Sequence, residues 1–139
     1  MWTAEHTAPW PGASRSEIWR RWTDASLWAG QDAGVEWARN DGPTEVGSRI
    51  ILKPKGAPRT TITVTAVEYE TAFDTKGRLP LASLRIEHRM GAEEFTHRVI
   101  IDGPMSALWG RLLGRRMAAG LPAMMESIAR HAAGEIPPR

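Results

Sequence analysis

Two histidines, His88 and His97, sit on consecutive stretches of alternating apolar residues separated by Gly91-Ala92. An imidazole titrates near neutrality, so it can act as general base or acid in removing a proton beside a carbonyl or in a dehydration. The competing reading is a pair of partly buried histidines held by hydrogen bonds, and the sequence leaves both open. A zinc site would need a third ligand, and Asp74 has nothing to place it there, so no metal is expected. Tyr69, the single tyrosine, is a candidate hydrogen-bond donor, whereas Asp24 reads as a helix cap. The chain lacks cysteine, which excludes disulfides, thiolate metal sites and a cysteine nucleophile. It also lacks a glycine-rich phosphate loop, a serine nucleophile elbow and a paired-carboxylate motif. No cofactor is expected.

The elements that must position the histidines are strands. Leu84, Ile86, His88 and Met90 alternate with Arg85, Glu87 and Arg89, and alternation resumes as Phe95, His97, Val99 and Ile101. With Gly91-Ala92 as a two-residue hairpin loop, His88 would face Phe95, Ile86 would face His97, and Arg89 would face Glu94. The two histidines would then be diagonal neighbours. Residues 34–102 as a whole read as antiparallel strands. Val35 and Trp37 begin one, Ile50 and Leu52 share a face of the next, and Ile62 and Val64 alternate with Thr61, Thr63 and Thr65. A weaker strand at Ala72–Lys76 is expected to end at Lys76-Gly77-Arg78.

Before these strands, residues 1–8 read as a first strand and 14–30 as two short helices. Ser14 or Ser16 would cap the first, with Ile18, Trp19 and Trp22 on its buried stripe. After them, residues 104–133 read as one long helix. Leu108, Leu112, Met117, Leu121, Met124 and Ile128 form its apolar stripe, and a kink or break is expected near Pro122.

At 139 residues the chain fits one domain, 1–139, and its net charge of +2 is spread along the sequence. Nucleic-acid binding is not expected, because that needs basic residues concentrated on a face or tail. No apolar run reaches the ~18 residues of a membrane helix. The N-terminus shows no basic segment followed by an apolar one, so a cytoplasmic location is expected. Oligomeric state is left open, a homodimer among the alternatives.

The order strand, two short helices, about six antiparallel strands and a long last helix resembles the α+β helix-grip fold of the START-like (SRPBCC, Bet v 1-like) superfamily. The residues Ile18-Trp19-Arg20-Arg21-Trp22-Thr23-Asp24-Ala25-Ser26-Leu27-Trp28 are similar to the opening signature of its polyketide cyclase/dehydrase-like branch. Gly47, Thr96-His97-Arg98-Val99, Gly103-Pro104 and Gly120-Leu121-Pro122 resemble further points of that pattern. The resemblance implies a curved sheet of about seven strands wrapped around the last helix, enclosing a pocket. It implies a hydrophobic small-molecule partner, polyketide-like or lipid-like, and for some members polyketide cyclisation or dehydration. In that case His88 and His97 are the candidate acid/base residues. By alternation and helical spacing the implied pocket would be lined by Ile62, Val64, Ile86, Phe95, Val99, Leu112, Met117, Leu121 and Met124, with Trp28, Trp37 and Tyr69 as further candidates. The alternative is a non-catalytic interaction module of the co-chaperone kind, with a closed core and an exposed apolar patch.

Overall fold

A computed structural model of the chain describes residues 1–10 and 12–134. Strand β1 (Trp2–Pro9) leads to helix α1 (Arg15–Thr23), a 3-10 turn (Ala25–Leu27) and the short helix α2 (Trp28–Gln31). Six strands follow: β2 (Val35–Asp41), β3 (Arg49–Pro54), β4 (Thr60–Glu68), β5 (Ala72–Leu79), β6 (Ala82–Met90) and β7 (Glu94–Asp102). The C-terminal helix comprises α3 (Ser106–Trp109), a π turn (Gly110–Gly114) and α4 (Arg115–Ala132). Among the described residues the strands form one antiparallel sheet, in the order β1-β7-β6-β5-β4-β3-β2. Helix α4 lies against β1 and β7, with α1 and α2 packed on it. This is the helix-grip arrangement. The expected frayed tail, Glu135 to Arg139, falls outside the described residues, as does Pro11.

Local chemistry accounts for the helix starts. Ser14 Oγ accepts from Glu17 N at 3.2 Å, and Asp24 Oδ1 accepts from Ser26 N at 3.1 Å, so each cap satisfies a backbone donor that has no partner inside its helix. Ile18 and Trp22, four apart on α1, are almost fully buried with Phe73, Phe95, Met125 and Ile128. This apolar cluster holds sheet to helices, and burying such side chains contributes roughly 1.5–3 kcal/mol each.

Four expectations are corrected. The β6–β7 hairpin is not closed by two residues: Met90 pairs with Phe95, and Gly91 N donates to Glu94 O at 2.8 Å across a four-residue loop. The register therefore moves by two residues. That keeps every side chain on its expected face but puts His88 directly opposite His97, and Glu87 opposite Arg98. Strand β5 does not stop at Lys76-Gly77-Arg78. It runs to Leu79, and the chain turns at Pro80-Leu81, where Leu81 has φ of 55°.

In β2 an irregularity between Val35 and Trp37 adds a residue to the strand. The bulge reverses the alternation, so Ala38 is buried and Trp37 is exposed. In the last helix, the helical run continues through Gly120 and Pro122 without the break expected there, although Pro122 has no N–H to donate, and the irregularity is the π turn instead. There the residues turned toward the sheet are Gly110 and Gly114, which cradle the Trp2 indole; Leu108 and Leu112 point outward. A methyl group on Gly110 would lie 2.5 Å from Trp2 Cγ, and one on Gly114 2.5 Å from Trp2 Cζ3. Gly114→Ala is accordingly expected to cost about 1–3 kcal/mol in chemical denaturation, by overpacking. In a Trp2→Ala background the same substitution should cost far less; an equal cost in both would remove the indole as the cause.

Candidate functional site

The concave face carries a row of imidazoles on three neighbouring strands. His6 on β1 pairs with His97 on β7, which pairs with His88 on β6. His88 and His97 meet edge to face, with ring centroids 4.4 Å apart. Trp22 from α1 covers both, at 5.2 Å and 5.8 Å, while Phe73 and Phe95 flank them at 5.7 Å and 5.5 Å. The α1 spacing that buries Ile18 also points Trp22 at this row, and strand alternation supplies the two phenylalanines.

The two rings differ in their bonding. His88 Nδ1 is 2.7 Å from Phe73 O, and a carbonyl can only accept, so Nδ1 carries the proton. His97 is 1% exposed, and neither of its ring nitrogens has a hydrogen-bond partner. Burial pushes the His88 pKa down to about 4, against the opposing pull of the Phe73 carbonyl. Burial likewise pushes His97 well below the ordinary histidine value, helped by the neighbouring His88 and His6. Both imidazoles are therefore neutral at pH 7.

Asp74 does not join this row. It lies on the convex face, where its carboxylate takes both terminal nitrogens of Arg89, and its Oδ1 also accepts from His88 N at 3.4 Å. Glu87 completes that outer network, 3.3 Å from Arg85 Nε and 3.8 Å from Arg98 Nη1. Among the described residues no cluster of three or more His, Asp or Glu is disposed to hold a metal ion. No helix among them is long and apolar enough to cross a membrane.

The residues expected to line a pocket divide into two sets. Val64, Phe95, Val99 and Leu121 are buried in the core, and Trp28, Ile62, Ile86, Met117 and Met124 pack half-buried against it. Trp28 Nε1 donates to Trp22 O at 3.2 Å. Trp37, Tyr69 and Leu112 are not brought inward. Tyr69 sits at the β4–β5 turn, 71% exposed and edge-on to Trp19, so it donates nothing to the interior. Trp37 is turned out by the bulge and Leu112 by the π turn.

None of these residues lines either of two hollows of about 370 Å³ in the surface. The first lies between β1 and α4, bounded by His6, Ala8, Pro9, Pro122, Glu126 and Ala129, among others. The second lies behind the grip, among α1, α2, the start of β2 and the end of α4. Sequence reasoning did not single out His6 as a site residue, although it shares the Trp2 and Ala4 face. The burial of Arg21 in the second hollow had no local signal.

Comparison with solved structures places the fold. The chain is similar to protein NE0264 from Nitrosomonas europaea, with 12% identity over 96% of this chain and 95% of that one, at a TM-score of 0.69. It is similar to Ara h 8.0201, with 9% identity over 96% and 98% of the two chains, at 0.66. It also matches the di-domain aromatase/cyclase BexL of the BE-7585A biosynthetic pathway, with 14% identity over 99% of this chain, at 0.68. This chain spans about half of BexL, 51% of its length. The fold is thus the START-like, Bet v 1-like helix-grip fold, and at these identities the likeness is one of fold alone. No protein-family model and no curated protein matches the sequence.

The buried rings make stability depend on pH. Because His88 binds its proton more weakly folded than unfolded, the fold is at full strength above about pH 6.5 and weakens as pH falls toward about 4. His88 alone should remove about 3 kcal/mol over that range, and His97 acts in the same direction. Urea unfolding measured across this range should show the loss, and a shallower one in His97→Leu. A flat profile in the native protein would mean that the rings are not held neutral.

Proposed function

We propose that this protein binds a hydrophobic small molecule, polyketide-like or lipid-like, between the sheet edge and its C-terminal helix. The observation that carries this reading is the hollow between β1 and α4. Its volume of about 370 Å³ lies within the ~300–1,000 Å³ range of small-molecule sites, and Ala8, Pro9, Pro122 and Ala129 give it apolar walls. His6 is the polar group on its sheet side, one strand from His97 and two from His88. An apolar ligand there would gain roughly 25 cal/mol per Å² of surface taken from water, with His6 available to orient it by a hydrogen bond. The helix-grip fold and the likeness to an aromatase/cyclase such as BexL support the same class of ligand.

In the catalytic form of this reading His97 and His88 act as acid and base on a bound polyketide. Neutral imidazoles hold a free lone pair at pH 7, so the protonation state suits a base, although a depressed pKa makes it a weak one. Substrate would have to displace the Trp22 side of the aromatic cover to reach His97. A non-catalytic interaction module is the rival reading, favoured by the exposed Leu108 and Leu112 on the outer side of the helix.

Native mass spectrometry of gently purified protein, with titration of an apolar fluorophore, tests the binding reading. Ala129→Trp should fill the hollow and weaken fluorophore binding about tenfold or more, with the unfolding midpoint little changed. Ile62→Gln, on the far side of the concave face, should leave binding within about twofold. Loss of binding in Ile62→Gln but not in Ala129→Trp would move the ligand to the sheet face and sink the assignment. Turnover of aromatic polyketides unaffected by both His88→Ala and His97→Ala would remove the histidines from any mechanism.

A further inference from the structure

The second hollow, also of about 370 Å³, is separate from the hollow beside β1 and has a buried cation in its wall. Arg21 on α1 lines it and is 2% exposed; among the described residues its guanidinium has no hydrogen-bond or ion-pair partner, and its Nε is buried. Its backbone is fixed in place, since Arg21 O accepts from Gln31 Nε2 at 3.0 Å and so ties α1 to α2. Burial pushes the Arg21 pKa down, helped by the neighbouring Arg20 charge and only partly opposed by the Glu17 and Asp24 carboxylates.

Among the described residues the nearby carboxylates make their close contacts elsewhere, and Glu17 and Asp24 act on Arg21 only through space. Glu36, which also lines the hollow, is 3.1 Å from Lys53 Nζ. Asp32 Oδ1 accepts from Gly34 N at 2.8 Å, and Glu17 is 3.2 Å from Arg20 Nη2. Asp24 accepts from the backbone and hydroxyl of Ser26. A buried charge without a partner costs several kcal/mol, and a guanidinium fork is shaped for two oxygens of a carboxylate.

The remaining walls describe the rest of the ligand. Leu27, Ala29 and Val35 are apolar, Ser26 and His131 are polar, and Lys55 adds an exposed positive charge that also acts on Asp32. We infer that this hollow binds a small organic carboxylate. Its oxygens pair with the Arg21 guanidinium, a short apolar body rests on Leu27, Ala29 and Val35, and Lys55 stands at the mouth. The site lies on the other side of α4 from the hydrophobic-ligand hollow and does not depend on it.

Benzoate is a suitable probe, followed by NMR of the full chain at constant ionic strength through the Arg21 Nε–H resonance, with inorganic phosphate as the comparison anion. Benzoate should shift that resonance saturably, and phosphate should not. Lys55→Gln, at an exposed position, should weaken benzoate binding several-fold, and Arg21→Met about tenfold or more. Absence of a saturable Arg21 shift would overturn the assignment. So would equal saturation by phosphate, or unchanged benzoate binding in Arg21→Met. Should Arg21→Met fail to fold, the native Arg21 resonance and Lys55→Gln still decide the matter.

Discussion

The pairing of β6 with β7, which seats His88 against His97 beneath Trp22, is the constraint on which the interior depends. Strand pairing forces the two rings together, and α1 closes over them with an indole, so the imidazoles are desolvated whatever else the protein does. Desolvation holds them neutral, and neutrality lets them share a space with Phe73 and Phe95. The same register sets the opposite face. There Glu87 meets Arg98, and Asp74 holds Arg89, so charge gathers outside the sheet while neutral rings fill the inside.

A second constraint fixes the helix over that interior. Gly110 and Gly114 let the C-terminal helix settle on the Trp2 indole, which bulkier residues would hold off. With the helix pinned at the β1 edge, α4 crosses β1 and β7 rather than the middle of the sheet. Two consequences follow. A hollow opens beside α4 at His6, and apolar side chains such as Ile62 and Ile86 on the more distant strands remain half-buried.

The polar groups within the fold divide by place. On the concave face stand the imidazoles of His88 and His97, uncharged, in a row that reaches an apolar hollow at its His6 end. Behind the grip stands a guanidinium, which cannot shed its charge and therefore calls for an anion. A neutral apolar ligand suits the first place and a carboxylate the second, because one environment favours loss of charge and the other demands that charge be paired.

Fold class and strand faces were legible in the residues because their causes are local. Alternation has a period of two, so Ile86, His88, Phe95 and His97 had to face one way whatever the loop. Ser14 and Asp24 announced the helix starts by their side-chain chemistry. Registers and phases were not legible, since each depends on a single residue's worth of backbone. One four-residue loop turned diagonal histidines into direct partners, one bulge sent Trp37 outward, and one π turn exposed Leu112. Tyr69 lay beyond reach for the same reason, its direction being set by a turn rather than by a strand. The sequence by itself determined a helix-grip sheet with two histidines on its inner face. Only the tertiary structure decided that they touch, that His6 extends their row to a hollow, and that Arg21 is buried, because these contacts join residues far apart in the chain.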